Sequence, residues 1–420
     1  MEPPSANDAT IAIRTVIMAY IEVKKTLTIF HIFPDSRIER EEWKNCSVRS
    51  RSDAVSLGLM QRPSIRILDV GGTPGEMGYL HGRTYAEEIR AYTEERVGLV
   101  SSGLWTGAPL SRDKVLALAE DCLPAHYRQS PELYEEMVAL AEAAGITRAE
   151  AVVVGGFTDF VDTARSHLGD LASPPRRVED DCTGFLVPDH RAGGAGFFGQ
   201  TWDMHASATD YVIMMRAQPD QAPAALIFTT MGCLGQIGMN ELGVCVGMTN
   251  LSAADGRIGV TWPTVVRHAL QTETAAEARD VIMGADLAGG HNYLVFDAKG
   301  IGFNIEAMPT VREETGLSTE TLVHTNHTTI ESTQAVETDR PSELQRSSHR
   351  RLKAATEHLD GPQITAEDLM TLTRQEVCQT ASPPYRIETS GAAIMRPKTK
   401  DFWAVWGSPR LNDYTRIKFP

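Results

Sequence analysis

No two of the six cysteines form a CxxC pair; Cys46, Cys122, Cys182, Cys233, Cys245 and Cys378 are scattered along the chain. That scatter excludes a zinc ribbon and a dense disulfide framework, and it suits the reduced thiols of a cytoplasmic protein. Positive charge is also short. Forty Lys and Arg face 55 Asp and Glu, a formal net charge of −15, which argues against a nucleic-acid partner. No 18-residue apolar run free of charge is present. The apolar stretch 11–33 is interrupted by Arg14, Glu22, Lys24 and Lys25, so neither a transmembrane helix nor a secretory signal is expected, and no membrane partner. There is no internal repeat, which excludes a solenoid or a propeller. What remains is a globular composition, 42% hydrophobic and 23% charged.

Residues 1–59 read as a poorly defined, partly disordered extension, polar and mixed in charge over 35–59, with Met60 as an alternative start. A mainly helical segment, 60–181, is expected next. It opens with a strand at 64–70 and the Gly71-Gly72-Thr73-Pro74 turn. Helical periodicity follows over 75–100, 112–123 and 131–144; Gly145 is placed as a C-cap, and Thr147 with Glu150 as a capping box. Residues 166–179, with Gly169, Pro174 and Pro175, read as a loop or linker. Beyond it, 182–420 carries short strands at 184–188, 196–201, 211–217, 225–230, 235–240, 244–249, 292–297, 302–306 and 321–324. Helices are expected at 261–270, 274–285, 347–359 and 366–374, and a closing hairpin at 392–395 and 402–406. The order predicts a layered α+β protein with sheets between helices.

Cys182 falls where the loop turns into a strand, within VEDDCTGFLV (178–187). A thiol there sits on rigid backbone while the preceding segment is open to cleavage. If the Asp181–Cys182 bond breaks, the new α-amine has a reference pKa of ~8 and the thiol ~8.5. Base and nucleophile then belong to one residue, the logic of an N-terminal nucleophile. The bland alternative is a buried apolar cysteine.

Five motifs in order give the chain a family resemblance. They are GTPGEMGYLHG (72–82), DCT (181–183), GQTWD (199–203), GMNELGV (238–244) and VHTNH (323–327). Together they resemble the acyl-coenzyme A:6-aminopenicillanate (isopenicillin-N) acyltransferases, self-processing members of the N-terminal-nucleophile hydrolases. The match runs from about residue 64 to the C-terminus. The resemblance implies an αββα sandwich in which Cys182 attacks an acyl carbon to form a thioester. Asp203 is then expected to orient the new amine or assist self-cleavage, and Asn326 to stabilise the oxyanion. Asn250, in GMTNL, is expected to supply a second polar contact. The acyl group would come from a small amide or thioester and pass to water or an amine. No cofactor is implied, although acyl-coenzyme A fits as a substrate, and the lasting partner would be the chain's own cleaved N-terminal fragment.

The resemblance has two departures. Asp181 stands where the family usually has Gly before the cysteine. Near the C-terminus, Ser390 stands where the penicillin enzyme has a catalytic arginine, with Arg386 and Arg396 the nearest replacements. His324 and His327 have an HxxH spacing, but no third ligand accompanies them and VHTNH accounts for both. His291-Asn292 reads as a structural pair, and Gly193-Gly194-Ala195-Gly196 as a hairpin turn that lacks the lysine of a phosphate loop. Two rival functions remain: an uncleaved binding or storage protein, and a metal-dependent hydrolase built on His324 and His327.

Overall fold

The computed structural model describes residues 64–171, 181–382 and 386–420. The expected extension 1–59 and most of the expected linker 166–179 lie outside them. The described chain opens with strand β1 (Arg66–Gly72) and a run of helices: α1 (Pro74–Thr84), α2 (Ala86–Ser102), α3 (Arg112–Gln129), α4 (Pro131–Ala144), α5 (Arg148–Gly155) and α6 (Phe157–Leu168). Thr73 caps α1 reciprocally: its hydroxyl accepts from Glu76 N at 3.3 Å, while its own N–H donates to the Glu76 carboxylate at 2.8 Å. The single helix expected over 75–100 is two, because Tyr85 leaves the helical region at φ −121° and ψ 32°. Gly145 ends α4 at φ 75°, and Thr147 with Glu150 starts α5, as the sequence reading expected.

Two sheets follow. The eight-stranded sheet has the order β1-β4-β5-β6-β7-β8-β9-β10 and the six-stranded sheet the order β11-β2-β3-β12-β13-β14. Their ranges are β2 Thr183–Val187, β3 Phe197–His205, β4 Val212–Pro219, β5 Ala225–Thr230, β6 Ile237–Asn240, β7 Cys245–Leu251, β8 Gly290–Phe296, β9 Gly302–Ala307, β10 Arg312–Gly316, β11 Leu322–His324, β12 Ile387–Arg396, β13 Asp401–Trp406 and β14 Thr415–Ile417. Between strands lie α7 (Trp262–Ala269), α8 (Ala275–Gly284), α9 (Glu331–Gln334), α10 (Ser342–His358) and α11 (Ala366–Arg374). Sequence reading anticipated most of these but not β10, β14 or the four-residue α9. The first, REETG, is largely solvent-facing and carries no apolar alternation; the second has three residues.

Three apolar cores stack these elements into four layers. Helices α1–α8 bury Met77, Leu140, Val152 and Val265 against Ile227, Val246 and Val295 of the eight-stranded sheet. That sheet's other face (Met214, Leu226, Phe228, Leu294) meets Leu186, Phe198 and Met395 of the six-stranded sheet. The six-stranded sheet then turns Phe185, Val187, Phe197 and Ile394 toward Ala355, Leu369 and Leu372 of α10 and α11. The fold is the αββα sandwich. Strand β2 is buried along its length because it has a sheet on one face and a helix layer on the other.

Close approach explains two sets of glycines. A Cβ at Gly184 would lie 2.5 Å from Leu294 Cδ1, so any side chain there would force Leu294 to shift where the sheets meet. In GTPGEMGYLHG, a Cβ on Gly78 or Gly82 would lie 2.0 Å from the Glu136 carbonyl oxygen or 2.2 Å from that of Leu140. The motif is thus a helix-packing device between α1 and α4. Its histidine has the same character: His81 is buried, accepts from Gly232 N at 3.2 Å, and is pushed down to about 4 by burial, so it stays neutral.

Candidate functional site

Three neighbouring strands bring the expected residues together. Cys182 immediately precedes β2, which pairs with β11 on one side and β3 on the other; Asp203 lies toward the end of β3, and Asn326 two residues beyond β11. The backbone fixes this junction. Asp181 N donates to the Asp203 carbonyl at 3.3 Å, and Cys182 Sγ lies 3.9 Å from the same oxygen. Thr183 N donates to Thr201 Oγ1 at 3.1 Å. Cys182, Asp203 and Asn326 are all fully buried.

Asp203 is strongly perturbed. Burial pushes its carboxyl up to about 8, the nearby Arg351 guanidinium opposes the shift, and the Asp181 carboxylate adds to it. Neither oxygen meets strict hydrogen-bond geometry among the described residues, although the Thr389 and Thr201 hydroxyls are close enough to oppose the shift. Asn326 is held at every polar atom. Its Nδ2 donates to the Asn250 carbonyl at 3.1 Å, its N–H donates to Ser348 Oγ at 2.9 Å, and its backbone oxygen accepts from Arg340. Asn250, at the end of β7 in the opposite sheet, therefore joins the site through its backbone carbonyl.

Arg351, which sequence reading missed, ties the site together. From α10 its Nη1 donates to the Cys182 carbonyl at 2.6 Å and to Thr183 Oγ1 at 2.9 Å. Its Nη2 reaches Asp181 Oδ1 at 2.6 Å and Asn326 Oδ1 at 3.0 Å. Asp181 is further held by Ser347, whose hydroxyl donates to Oδ2 at 2.8 Å, and by Arg340 Nη2 at 3.5 Å. A signal for Arg351 does exist. Leu344, Ser347, Ser348, Arg351 and Ala355 are the buried residues of α10 and recur at helical spacing, so an arginine sits on the inward face. Starting the helix at 347 hid that register.

Of the two nearest replacements for the missing arginine, Arg396 is engaged elsewhere. Arg396 donates to the Ala195 carbonyl at 2.9 Å and the Ala192 carbonyl at 2.6 Å and stacks on Phe197, holding the 190–196 turn. Arg386 occupies a left-handed turn at φ 55° before β12. Ser390 is buried at a bulge in β12, its hydroxyl 2.9 Å from Thr209 Oγ1. Arg351 and Arg340, arriving from the helix side, supply the cationic groups instead.

The HxxH pair is split between structural partners. His324 Nε2 lies 3.0 Å from Glu306 Oε1, and His327 Nδ1 lies 2.7 Å from Ser348 Oγ. Among the described residues no group of three His, Cys, Asp or Glu is placed to hold a metal. His291 is structural as expected: fully buried, its Nδ1 is 2.8 Å from Asp159 Oδ1 and its Nε2 is 3.2 Å from Thr158 Oγ1. Gly193 and Gly194, at φ 63° and 82°, form the turn joining β2 to β3. Burial pushes the Cys122 and Cys233 thiols up to about 11, which suits packing rather than attack. A surface cleft of about 700 Å³ lies elsewhere, lined by Arg257, Asp286 and Arg312. Its guanidiniums are engaged, Arg257 by Asp286 at 2.8 Å and Arg312 by the Met283 and Ala285 carbonyls.

Residues 190–411 match the family model described as acyl-coenzyme A:6-aminopenicillanic acid acyl-transferase. The chain belongs to this family. The matched region holds Asp203, Asn250, Asn326, Arg340 and Arg351; Cys182 lies eight residues before it. A relative from Emericella nidulans, acyl-coenzyme A:6-aminopenicillanic-acid-acyltransferase 40 kDa form, is 22% identical over 292 residues, covering 69% of this chain and 77% of that protein. Among solved structures, a mutant conjugated bile acid hydrolase from Clostridium perfringens aligns with a TM-score of 0.39 at 11% identity, covering 57% of this chain and 97% of its own. Penicillin V acylase from Agrobacterium tumefaciens aligns with a TM-score of 0.29 at 12% identity, covering 57% and 80%. Among the described residues no helix is long and apolar enough to cross a membrane.

Proposed function

We propose that the chain is a self-cleaving amide hydrolase or acyltransferase whose nucleophile is Cys182 and whose substrate is a small molecule carrying an acyl group. The observation that carries this reading is the convergence of Cys182, Asp203 and Asn326, buried at one end of three adjacent strands, with Arg351 bonding the Cys182 carbonyl and Asn326 and lying near Asp203. Family membership supports acyl transfer or amide hydrolysis.

In self-cleavage, the Cys182 thiol adds to the Asp181 carbonyl carbon. The new S–C bond replaces the C–N bond, the thiol proton passes to the departing amine, and a thioester results. Water then releases the Asp181 carboxylate and restores the thiol, leaving Cys182 with a free α-amine to serve as base in later turnovers. The 60–181 segment stays as the partner fragment of the 182–420 catalytic fragment. Asp203 orients the amine. Asn326 is the oxyanion donor: a primary amide has two N–H bonds, and the Asn250 carbonyl takes one, leaving the other for developing negative charge. No cofactor enters these steps. Acyl-coenzyme A qualifies as a substrate because the same attack opens a thioester.

The test is N-terminal sequencing and intact mass of wild type and Cys182→Ala, with amide hydrolysis measured on both. Two fragments in wild type, one starting at Cys182, and an intact, inactive variant are expected. An active wild-type chain that stays whole would overturn the proposal.

A further inference from the structure

Asp181 is an unusual residue to find before a scissile bond because its carboxylate is as buried as the nucleophile beside it. It is 2% exposed, and the groups facing it are Arg351, Arg340 and Ser347, themselves 0%, 9% and 6% exposed. Both oxygens are engaged, Oδ1 by Arg351 at 2.6 Å and Arg340 at 3.5 Å, and Oδ2 by the Ser347 hydroxyl at 2.8 Å. Two buried guanidiniums therefore converge on one carboxylate. Removing it would take away the carboxylate that both guanidiniums reach directly in a place shielded from water, so the site favours an anion whenever Asp181 is out of it.

We propose that the Arg351–Arg340–Ser347 cradle is the recognition site for a carboxylate on the acyl part of the substrate, and that Asp181 occupies it as an internal stand-in until the chain is cut. This rests on the self-cleaving reading above. The reasoning is positional. In self-cleavage the acyl group attacked by Cys182 Sγ is that of Asp181, and in turnover the same sulfur attacks the substrate's acyl carbon. The two acyl carbons must occupy nearly the same point, so a substituent on the substrate's acyl chain falls where the Asp181 side chain now lies. In aspartate the carboxylate carbon is two carbons from the acyl carbon. The matching acyl groups are short dicarboxylic ones, succinyl or α-aspartyl. The turnover step is an acyl transfer from nitrogen to sulfur: Sγ bonds the acyl carbon, the C–N bond breaks, the amine leaves with the thiol proton, and water hydrolyses the thioester to dicarboxylate and free thiol.

The experiment compares the processed wild-type protein on N-succinyl- and N-butyryl-4-nitroanilide, isosteric except for the carboxylate, with N-butyrylglycine carrying the carboxylate on the amine side. We expect kcat/KM for the succinyl amide to exceed that for the butyryl amide by at least about tenfold, the ratio a charge-assisted contact supplies. Succinate, and not butyrate, should slow alkylation of Cys182 by iodoacetamide. In the intact Cys182→Ala chain, where Asp181 remains tethered, succinate should show no binding by calorimetry. The double variant Ser347→Ala/Arg340→Gln should narrow the succinyl-to-butyryl ratio severalfold; an unchanged ratio would overturn the assigned location. Should that variant fail to fold, the wild-type ratio and the protection assay decide alone. A cut, active protein that uses the neutral amide equally well, or that prefers the carboxylate only on the amine side, overturns this proposal and leaves the self-cleaving reading intact. A chain that stays whole overturns both.

Discussion

Arg351 and Asp181 meet at 2.6 Å across the bond expected to break, and the same guanidinium also holds the Cys182 carbonyl at 2.6 Å. Both side chains are buried, so the contact is one in which neither partner can fall back on water. Arg351 thereby sets the backbone on the downstream side of the peptide bond proposed to break.

Replacing Arg351 with Met should cost about 3 kcal/mol or more in urea unfolding and leave the chain whole by intact mass. Adding Asp181→Asn should recover part of the stability without restoring cleavage. Full-speed cleavage in Arg351→Met would show that the contact has no positioning role.

Asp203 gives a pH dependence of stability with a defined sign. Its folded pKa is raised from 3.8 to about 8 by burial, so the folded state holds a proton that the unfolded state releases. Its contribution is fully present below about pH 4 and is lost as pH rises toward 8. Asp162 is raised to about 8 for the same reason and acts in the same direction. Urea midpoints of the uncut Cys182→Ala chain should fall between pH 5 and 8, and Asp203→Asn in that background should flatten the fall. An equal slope in both proteins would contradict the assignment.

Glu306 has the opposite sign. Burial works against its ionisation, but hydrogen bonds from His324, Thr329 and Thr333 outweigh burial and hold the carboxyl at about 2. Its contribution is present above about pH 4.5 and lost as pH falls through 2. Glu306→Gln should therefore destabilise the protein by roughly 3 kcal/mol at pH 7 and much less at pH 3. Because Glu306 secures His324, next to the Thr325-Asn326 turn, the variant should also slow turnover, measurable as a drop in kcat.

Gly184→Ala should destabilise by about 1–3 kcal/mol through overpacking against Leu294. Leu294→Ala should be less costly in that background than alone, a non-additivity that a double-mutant cycle in urea would show. Strict additivity would mean the sheets do not touch there.

How much of this was legible in the sequence differs by residue. Thr73, Gly145 and the Thr147–Glu150 box were readable because capping is decided within four residues. Cys182, Asp203 and Asn326 were reached through ordered motifs, and the sheet pairing of β11, β2 and β3 accounts for their convergence. Arg351, Arg340 and Ser347 were not reached: the helical register that turns Arg351 inward begins at Leu344, ahead of the helix start expected at 347, and their partner Asp181 is over 150 residues away in sequence. Asn250 was expected as a second polar contact, and the bond it accepts from Asn326 is to its backbone carbonyl, a group that every residue carries. The function of GTPGEMGYLHG was likewise invisible, since close packing against α4 depends on a helix some fifty residues further on.

Strand β1 pairs in parallel with β4 over the whole of Arg66–Gly72, seating residues from before the expected cut inside a sheet formed by residues after it. A cut between Asp181 and Cys182 would release nothing. It would convert one chain into two that share a sheet, and their reassembly after unfolding would become a bimolecular event, dependent on concentration. The processed protein should thus be harder to restore than its precursor, and its persistence would rest on never coming fully apart.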